Sequence, residues 1–472
     1  MNQKTTGFEK CEVDLSNTGF IQGFGCLLRV SYKTRSIVSV SKNSSEFLQK
    51  ESLIGKTLTD VFGEDMESRL WNYPFKAPIN ESWENFKIYG QSDEFGIILE
   101  IEANTDLPKR KPRFVLFGSK TREEIINKTL TRLKEESGFE RVMLYEFLPD
   151  GSGQVTAELY SGSGDNYLGL RYPATDIPAV ARKLYLRNAY RYIYDATQES
   201  IPILNANNEI DTTVNLSYCF LRNVSPFHKE YLKNMGVKCA LSFSLVREDR
   251  LIGMFSLHNI EPKFVSHESR LQMVQITKEF LHNLSIRESE ERMQFLDGYR
   301  REVTNFIQSV NHGHERENEI LGFLQLVGAT GLAIKMGENW TAYGKVQITE
   351  ELKSIEESIT QVEAKGIFTT DCISSIYIGM ESDKDFASGV LCVWYTDLST
   401  KEKKSFLFVK PEVLQEVVWG SRVELYPGDV NPLNSFGQWK ELMSMHSNPW
   451  SRQSHNAAQA ILYVGLSKSF PI

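Results

Sequence analysis

The segment Leu168-Gly169-Leu170-Arg171-Tyr172-Pro173-Ala174-Thr175-Asp176-Ile177-Pro178 places one carboxylate between two prolines. Each proline ring fixes its own φ and disfavours helix in the residue that precedes it. We therefore expect Asp176 to lie on a rigid loop rather than on the face of a helix. A carboxylate held in this way either caps a turn, which is a common role of Asp in loops, or is a fixed partner for a cationic or N–H-rich group.

The composition of the 472-residue chain is that of a soluble globular protein, and its length suits about three domains of ordinary size. The net charge of −8, without a dense run of Lys or Arg, argues against nucleic acid as a partner. No apolar run approaches the roughly 20 residues that a membrane helix needs. The N-terminus lacks the apolar core of a signal peptide, so we expect a cytoplasmic protein with no membrane partner.

The six cysteines are scattered, with no C-x-x-C pair and no spacing to histidine that is typical of metal ligands. Neither a disulfide framework nor a structural zinc site is therefore expected. Cys11 differs from the others because it lies in a polar segment ahead of the first apolar run. Taken alone, it is a free thiol near the terminus.

Two α+β domains are predicted in the first part of the chain. Residues 20–120 predict strands over 25–30, 36–40, 95–101 and 113–117 and a helix over 45–53. Residues 121–285 predict helices over 123–138 and 179–186, strands over 141–147, 153–159, 240–246 and 251–258, and a long polar loop between 186 and 240.

Helical periodicity with high charge then continues from about Ser266 to Val310, which predicts a helix on the order of 65 Å long. Long charged helices with one apolar seam usually link domains or pair with a copy of themselves. Residues 318–472 predict a third α+β domain, after a connecting helix over 286–317. Within it, residues 419–450, called the arm below, are rich in Pro, Gly and Asn and are expected to be functional.

The second domain concentrates side chains that could bind a large conjugated anion. Tyrosines could form its walls, arginines could pair carboxylates, and two serines at alternate positions of one strand share a face. Each type also has an ordinary structural role, since tyrosines are often core and a single histidine is usually structural. The candidates are Tyr145, Tyr172, Tyr185, Tyr231, Arg191, Arg222, Ser242, Ser244, His228 and His258.

Four motifs together resemble the phytochrome family, specifically bacteriophytochromes. They are Pro173-Ala174-Thr175-Asp176-Ile177-Pro178, Leu221-Arg222-Asn223-Val224-Ser225-Pro226-Phe227-His228, Tyr231-Leu232-Lys233-Asn234-Met235-Gly236-Val237, and Trp419-Gly420 followed by Asn434-Ser435-Phe436. The resemblance covers essentially the whole chain. It implies an α+β fold of three tandem domains (PAS, GAF and PHY) joined by a long helix, with the PHY arm reaching back to the GAF pocket. Residues 1–19 would form an N-terminal segment before the PAS domain.

The resemblance also implies a linear tetrapyrrole in the GAF pocket. Bacteriophytochromes attach biliverdin IXα as a thioether through a cysteine near the N-terminus, which Cys11 matches. Plant-type members use a cysteine immediately before the pocket histidine, where this chain has Phe227. Biliverdin is therefore the expected cofactor.

Roles for the site residues follow from the same resemblance. The backbone carbonyl of Asp176 and the His228 side chain would hold the pyrrole N–H groups. Arg191 and Arg222 would take the propionates, with Ser225 and Ser242. Tyr145, Tyr172 and Tyr231 would line the space of ring D, and His258 would bond its carbonyl. Ile177, Tyr185 and Ser244 complete the cofactor-binding candidates.

The implied function is a red/far-red photosensory module that switches by bilin isomerisation and acts as a parallel homodimer. A response regulator would be the partner if a histidine kinase output exists. Within the chain no nucleophile–base pair or metal cluster has a recognisable spacing, so we expect a sensor and not an enzyme. The alternatives are a chromophore-free sensor on the same scaffold and a GAF module for another small ligand, such as a cyclic nucleotide.

Three positions depart from the family pattern. Leu433 stands where the arm usually carries an arginine that pairs with the GAF aspartate, although Arg422 is near in sequence and Ser435 is kept. We therefore expect a weakly anchored arm or a shifted balance of states. The stretch Ile21-Gln22-Gly23-Phe24-Gly25 replaces the usual Ile-Gln-Pro-His-Gly, which bears on the PAS–GAF contacts. Ala240 stands where a serine often contacts a propionate.

Overall fold

The structure, a computed structural model, describes residues 16–104, 118, 121–148, 150–312, 317–361, 363, 365–377, 383–397, 400–420 and 439–467. Cys11, the strand predicted over 113–117 and residues 421–438 of the arm, including Arg422, Leu433 and Ser435, lie outside the described residues. The chain divides into two compact units, residues 1–284 with 418–439, and residues 285–417 with 440–472.

The first unit contains two mixed regions of helix and strand. The first region consists of β1 (Phe20–Ile21), β2 (Gly25–Ser31), β3 (Ile37–Ser41), α1 (Ser44–Leu48), α2 (Leu58–Phe62), α3 (Glu64–Trp71), β4 (Ile79–Trp83), β5 (Phe86–Ser92) and β6 (Gly96–Ala103). The second consists of α4 (Arg122–Ser137), β7 (Arg141–Phe147), β8 (Gly153–Tyr160), β9 (Arg171–Tyr172), a 3-10 turn (Ala174–Asp176), α5 (Ala179–Arg187), β10 (Tyr190–Ile193), β11 (Ile201–Asn205), α6 (Pro226–Asn234), β12 (Cys239–Arg247), β13 (Arg250–Asn259) and the start of α7 (His267–His312).

One strand of the second region belongs to the sheet of the first region. The seven-stranded sheet has the order β1-β11-β3-β2-β6-β5-β4, in which β11 pairs antiparallel with both β1 and β3. The side chain of Gln22 adds a further link, since its Nε2 donates to the carbonyls of Tyr192 (2.9 Å) and Arg222 (3.2 Å). Gln22, which the chain shares with the family pattern at this stretch, therefore makes direct contacts between the two regions.

The sheet of the second region has two faces of different character. Its strands follow the order β10-β12-β13-β7-β8-β9, and alternate residues point to opposite faces. One face, with Leu144, Phe243 and Phe255, packs in the hydrophobic core against α4 and the start of α7. The opposite face, called the site face below, is defined by Arg141, Met143, Tyr145, Arg191, Ala240, Ser242, Ser244, Met254, Ser256 and His258, which lie in register across four strands.

The second unit contains one antiparallel sheet with helices on both faces. After the end of α7 come, in chain order, α8 (Glu317–Val327), β14 (Gly331–Met336), β15 (Asn339–Gly344), α9 (Glu350–Thr360), β16 (Gly366–Thr370), a 3-10 turn (Ile373–Ser375), α10 (Lys384–Ala387), β17 (Gly389–Thr396), β18 (Lys403–Lys410), β19 (Gln415–Trp419), β20 (Trp439–Met443) and α11 (Arg452–Ser467). The end of β19 and the first residue of β20 belong to the first unit, which includes residues 418–439. The sheet order is β15-β14-β18-β17-β16. Alternate residues of β17 and β18 face α8 and α11 on one side and α9 on the other.

Most predicted elements are present, and the long helix is confirmed, since α7 spans 46 residues. The helix predicted over 45–53 is wrong at its end, because α1 stops at Leu48 and Gln49 is left-handed with φ 52°. The predicted polar loop between 186 and 240 is also wrong. It contains β10, β11 and α6, whose polar residues hide the strand and helix periodicity.

A buried ion pair joins the sheet of the first region to the start of α7. The guanidinium of Arg270, on the first turns of α7, pairs with the carboxylate of Glu102 on β6, and both side chains are 1% exposed or less. Aromatic rings surround the guanidinium at 5.0–5.7 Å, and these belong to Phe24, Tyr190, Tyr192 and Phe220. Phe24, a departure from the family pattern, is therefore part of this cage.

We expect Glu102→Gln to lower the free energy of unfolding by about 3–5 kcal/mol, because it leaves the Arg270 charge buried without its partner. Urea unfolding followed by circular dichroism measures this. Glu268→Gln is the matched control, since it removes an ion pair with Lys87 in which the Glu268 side chain is 46% exposed, and such pairs contribute about 1 kcal/mol or less. Equal losses in the two variants would contradict the prediction.

Candidate functional site

The structure gives each described candidate a definite place. Tyr145 lies on β7, Tyr172 on β9, Asp176 at the end of the 3-10 turn, Ile177 just after it, Tyr185 on α5, Arg191 on β10, Arg222 in the segment before α6, Ser225 at the N-cap of α6, His228 and Tyr231 on α6, Ser242 and Ser244 on β12, and His258 on β13. The short helices α5 and α6 thus supply side chains in addition to those of the site face.

The loop with the two prolines is held from behind by an arginine. Arg182 of α5 donates from Nε to the Ile177 carbonyl (2.7 Å) and from Nη2 to the carbonyls of Ala174 (3.2 Å) and Gly151 (2.6 Å). The expected rigid loop is a single 3-10 turn, and Asp176 is its last residue. Because its backbone is tied to α5, the orientation of the Asp176 carboxylate is constrained.

Asp176, Tyr231 and His228 form one polar group. The Tyr231 hydroxyl donates to a carboxylate oxygen of Asp176 at 3.4 Å, and the rings of Tyr231 and His228 stack with centroids 5.9 Å apart. These two residues are three apart on α6, so they lie on the same side of the helix. The helix itself begins at Pro226, with the Ser225 hydroxyl accepting from the His228 backbone N–H at 3.2 Å.

Apolar and aromatic side chains form a wall next to this group. The buried rings of Tyr145 and Tyr172 have centroids 6.1 Å apart, and the half-buried Ile177 and Tyr185 pack against them. A Cβ atom at Gly153 would lie 2.1 Å from Cζ of Tyr145, so only glycine allows the ring its present position. Burial and the nearby Asp176 raise the pKa of the Tyr145 phenol, which therefore stays a neutral hydrogen-bond donor.

Two arginines lie at the other side of the site. Arg191 donates from Nη2 to the backbone carbonyls of Arg222 (2.6 Å) and Asn223 (2.8 Å), so it holds the segment that carries Arg222. Burial, and then the charge of Arg222, lowers the pKa of Arg191 to about 9, which leaves it a cation at neutral pH. The Arg222 Nη1 atom is buried and has no hydrogen-bond partner among the described residues.

The serines differ in how far they are already engaged. The Ser244 hydroxyl donates its proton to the Asn188 carbonyl at 2.9 Å, so it is already used in a bond within the protein. Ser242 lies opposite Arg191 in the register of β10 and β12, on the site face. Ala240 lies opposite His258 and supplies no hydroxyl there.

Sequence reasoning missed several residues that shape the site. Arg141 pairs with Glu158 and is sandwiched between the rings of Tyr160 and Tyr167 at 3.7 and 3.8 Å. Arg182 and Ser256 were not singled out either. An arginine or serine inside an ordinary strand or helix pattern carries no local signal of its role. The partner of Arg141 lies 17 residues away, and the contact of Ser256 with His258 depends on how the two side chains are oriented on the folded sheet.

Both site histidines are neutral at physiological pH. Burial, and then the charge of Arg191, lowers the pKa of His228 to about 4. Burial, and then the charges of Arg141 and His228, lowers the pKa of His258 to about 3. Each imidazole can therefore donate one hydrogen bond and accept one.

The first two residues of the arm, Trp419 and Gly420, lie next to this site. Trp419 of β19 pairs in parallel with Arg171 of β9, and the Gly420 N–H donates to the Arg171 carbonyl at 2.9 Å. A Cβ atom at Gly420 would lie 2.6 Å from Cζ of Tyr172, so the backbone passes close to the tyrosine wall. The arm thus begins next to the site residues.

Comparison with known proteins accounts for this arrangement. Family profiles match in chain order, a PAS fold over residues 11–100, a GAF domain over 121–281 and a phytochrome region over 301–464. The chain is 30% identical to cyanobacterial phytochrome B of Nostoc sp., over 97% of this chain and 67% of that one. The chain belongs to the phytochrome family. It is therefore a phytochrome module with PAS, GAF and PHY domains in that order.

Other relatives agree with this assignment. A bacteriophytochrome of Pseudomonas aeruginosa is 26% identical over 90% of this chain and 60% of its own length. The crystal structure of a bacteriophytochrome from R. palustris superposes with a TM-score of 0.80 at 27% identity, covering 95% of this chain and 96% of that one. The chain spans 67% and 60% of the two curated phytochromes named here. Within the described residues, no helix combines the length and apolarity needed to cross a membrane.

We expect the contribution of His228 and His258 to the free energy of unfolding to fall as the pH drops below 6.5. Below this pH the two histidines become protonated in the unfolded state. In the folded state they stay neutral until the pH approaches their lowered pKa values, about 4 for His228 and about 3 for His258. Each histidine contributes a slope of up to about 1.4 kcal/mol per pH unit in this window. Urea unfolding at pH 7 to 4.5 measures it. His258→Gln should reduce the slope, and an unchanged slope in His258→Gln would contradict the assignment.

Proposed function

We propose that this phytochrome module is a red/far-red photoreceptor that binds biliverdin IXα covalently through Cys11. The observation that carries the proposal is that two of the candidate site residues present buried polar atoms without protein partners. Among the described residues, Arg222 Nη1 and His258 Nδ1 are buried and unpartnered. Buried polar groups are normally hydrogen-bonded, so such a set is expected where a polar ligand completes the site.

The chemistry of these groups fits a linear tetrapyrrole with two propionates. The unpartnered N–H of Arg222 suits a carboxylate, and Arg191 keeps the Arg222 segment in place through backbone carbonyls. Ser242 lies next to Arg191 on the site face and is the serine best placed to assist. Ser244 is less suited to this role, since its hydroxyl is engaged with Asn188.

The other end of the site suits the ring system. The neutral His228 imidazole can accept from a pyrrole N–H, as can the backbone carbonyl of Asp176. Tyr145, Tyr172 and Tyr231 remain neutral and provide flat apolar surface with hydroxyl donors. When bound, the bilin supplies light absorption and double-bond isomerisation, and the protein supplies orientation and electrostatics.

The rest of the switch is part of the same proposal. The arm, which begins beside Tyr172, would exchange its structure when the partners of the chromophore change. The helix α7 would carry the change toward an output, with two chains paired in parallel along it. If the output is a histidine kinase, its partner would be a response regulator.

We expect the purified protein mixed with biliverdin to absorb red light and to change its spectrum reversibly under red and far-red illumination. After denaturation the pigment should stay on the chain in the wild type and leave it in Cys11→Ser, because the thioether needs the Cys11 sulfur. Absorption spectra and zinc-induced fluorescence of the denatured protein on a gel measure both. Cys26→Ser, which changes a buried cysteine of the first region, is the control.

Two outcomes would contradict the proposal in different ways. A protein that stays colourless with biliverdin would indicate a chromophore-free sensor or a module for another ligand. Pigment that remains attached in Cys11→Ser would refute the attachment site while leaving the photoreceptor function intact.

We expect Leu433→Arg to change the rate at which the photoproduct forms or reverts by about threefold or more. The added guanidinium would pair with Asp176 in one state only, and an interaction that differs between states by about 1 kcal/mol shifts their balance about fivefold. Flash photolysis and dark reversion of the biliverdin-loaded protein measure it. Leu433→Gln, which lengthens the side chain without charge, is the control, and equal kinetics in wild type and Leu433→Arg would refute a role for the missing arginine.

A further inference from the structure

Ser256 lies within hydrogen-bonding distance of the His258 ring. It belongs to none of the four motifs that resemble the phytochrome family. The two residues alternate on β13, so both side chains lie on the site face. The Ser256 hydroxyl and Nε2 of His258 are 3.1 Å apart. The second ring nitrogen, Nδ1, is buried and has no partner among the described residues.

The strands on either side of His258 offer its ring no competing partner. On β12 the residue in register is Ala240, which has no polar side-chain atom. On β7 it is Arg141, whose Nη1 is engaged with Glu158 and whose Nη2 donates to the Asp165 carbonyl at 2.6 Å. Among the described residues, the Ser256 hydroxyl is therefore the group that hydrogen-bonds the imidazole.

A neutral imidazole carries its proton on one nitrogen only, so the Ser256 bond and the tautomer are linked. The low pKa of His258, which burial and Arg141 produce, keeps the ring neutral. A carbonyl on the chromophore accepts a hydrogen bond, and it therefore needs a protonated nitrogen. Since Nε2 is engaged with Ser256, the nitrogen left for the carbonyl is Nδ1. Nε2 must then accept, and the Ser256 hydroxyl must donate.

We propose that Ser256 is a positioning residue, whose hydroxyl donates to Nε2 of His258, fixes the Nδ1–H tautomer and so presents a donor to the ring-D carbonyl of the bilin. The inference rests on the proposed function for the identity of that carbonyl. The bond between Ser256 and Nε2 lies within the protein, so the tautomer that it stabilises can be measured without chromophore.

The first test uses the chromophore-free protein with ¹⁵N-labelled histidine. In the NMR spectrum, the His258 signals, assigned by their loss in His258→Gln, should show Nδ1 protonated and Nε2 unprotonated. In Ser256→Ala the ratio of the two tautomers should shift toward Nε2–H by about fivefold, the ratio that corresponds to the net free energy of one hydrogen bond. Ser256→Thr keeps the hydroxyl and should restore the wild-type tautomer.

Matched variants separate this role from a loss of folding. Ser137→Ala removes a buried hydroxyl of α4 that donates to the Leu133 carbonyl, far from the site face, and should leave the His258 signals unchanged. If Ser256→Ala does not fold, Ser256→Cys replaces it, because a thiol of similar size is a weak donor. The same tautomer in wild type and in the variant without the hydroxyl would overturn the inference, as would Nε2–H in the wild type.

The second test uses the biliverdin-loaded protein. The dark reversion rate of the photoproduct should change by about fivefold in Ser256→Ala and return to the wild-type value in Ser256→Thr. A wild type that does not bind biliverdin would refute the proposed function, and the NMR result would still decide the role of Ser256. If the wild type is photoactive but Ser256→Ala has the same reversion rate and the same His258 tautomer, the role of Ser256 is refuted and the proposed function stands.

Discussion

The buried pair of Arg270 and Glu102 places the most demanding constraint on the first unit. A charged pair that is shut off from water is tolerated only when each partner is held close to the other, because the loss of hydration is expensive for both. Strand β6 and the start of α7 must therefore meet at this point, and the aromatic rings around Arg270 exclude water from it. Phe220 is one of those rings, so the constraint extends into the segment that leads to Arg222.

A second carboxylate on the same strand continues this constraint toward the cofactor site. Glu100 lies two residues before Glu102, on the same face of β6, and accepts from the Leu221 backbone N–H at 2.7 Å. Burial raises the pKa of Glu100 to about 8. The residue that follows Leu221 is Arg222, the arginine with an unpartnered N–H. The start of α7 and the proposed propionate site therefore depend on neighbouring residues of one strand.

The site itself results from the division of one sheet into two faces. Leucine and phenylalanine side chains on one face of β7, β12 and β13 bury themselves against α4 and α7. The alternate residues are thereby directed to the other face, where α5 and α6 add Tyr185, His228 and Tyr231. A sheet anchored on one side by a continuous core can hold polar side chains on the other at fixed spacing, which a ligand with several distinct polar groups requires.

The resemblance of four sequence motifs pointed to the family. Local chemistry in the chain was enough to predict the rigid loop at Pro173–Pro178, strand β7 and the long helix α7, because each depends on neighbours within a few residues. It also named most of the tyrosines, arginines and histidines of the site. The engagement of Ser244 with Asn188 and the burial of Arg270 against Glu102 were decided by the tertiary structure. In both cases the partner comes from a segment that is distant in the sequence. Hydrogen bonds and burial between distant segments exist only once the chain has folded, so no local pattern encodes them.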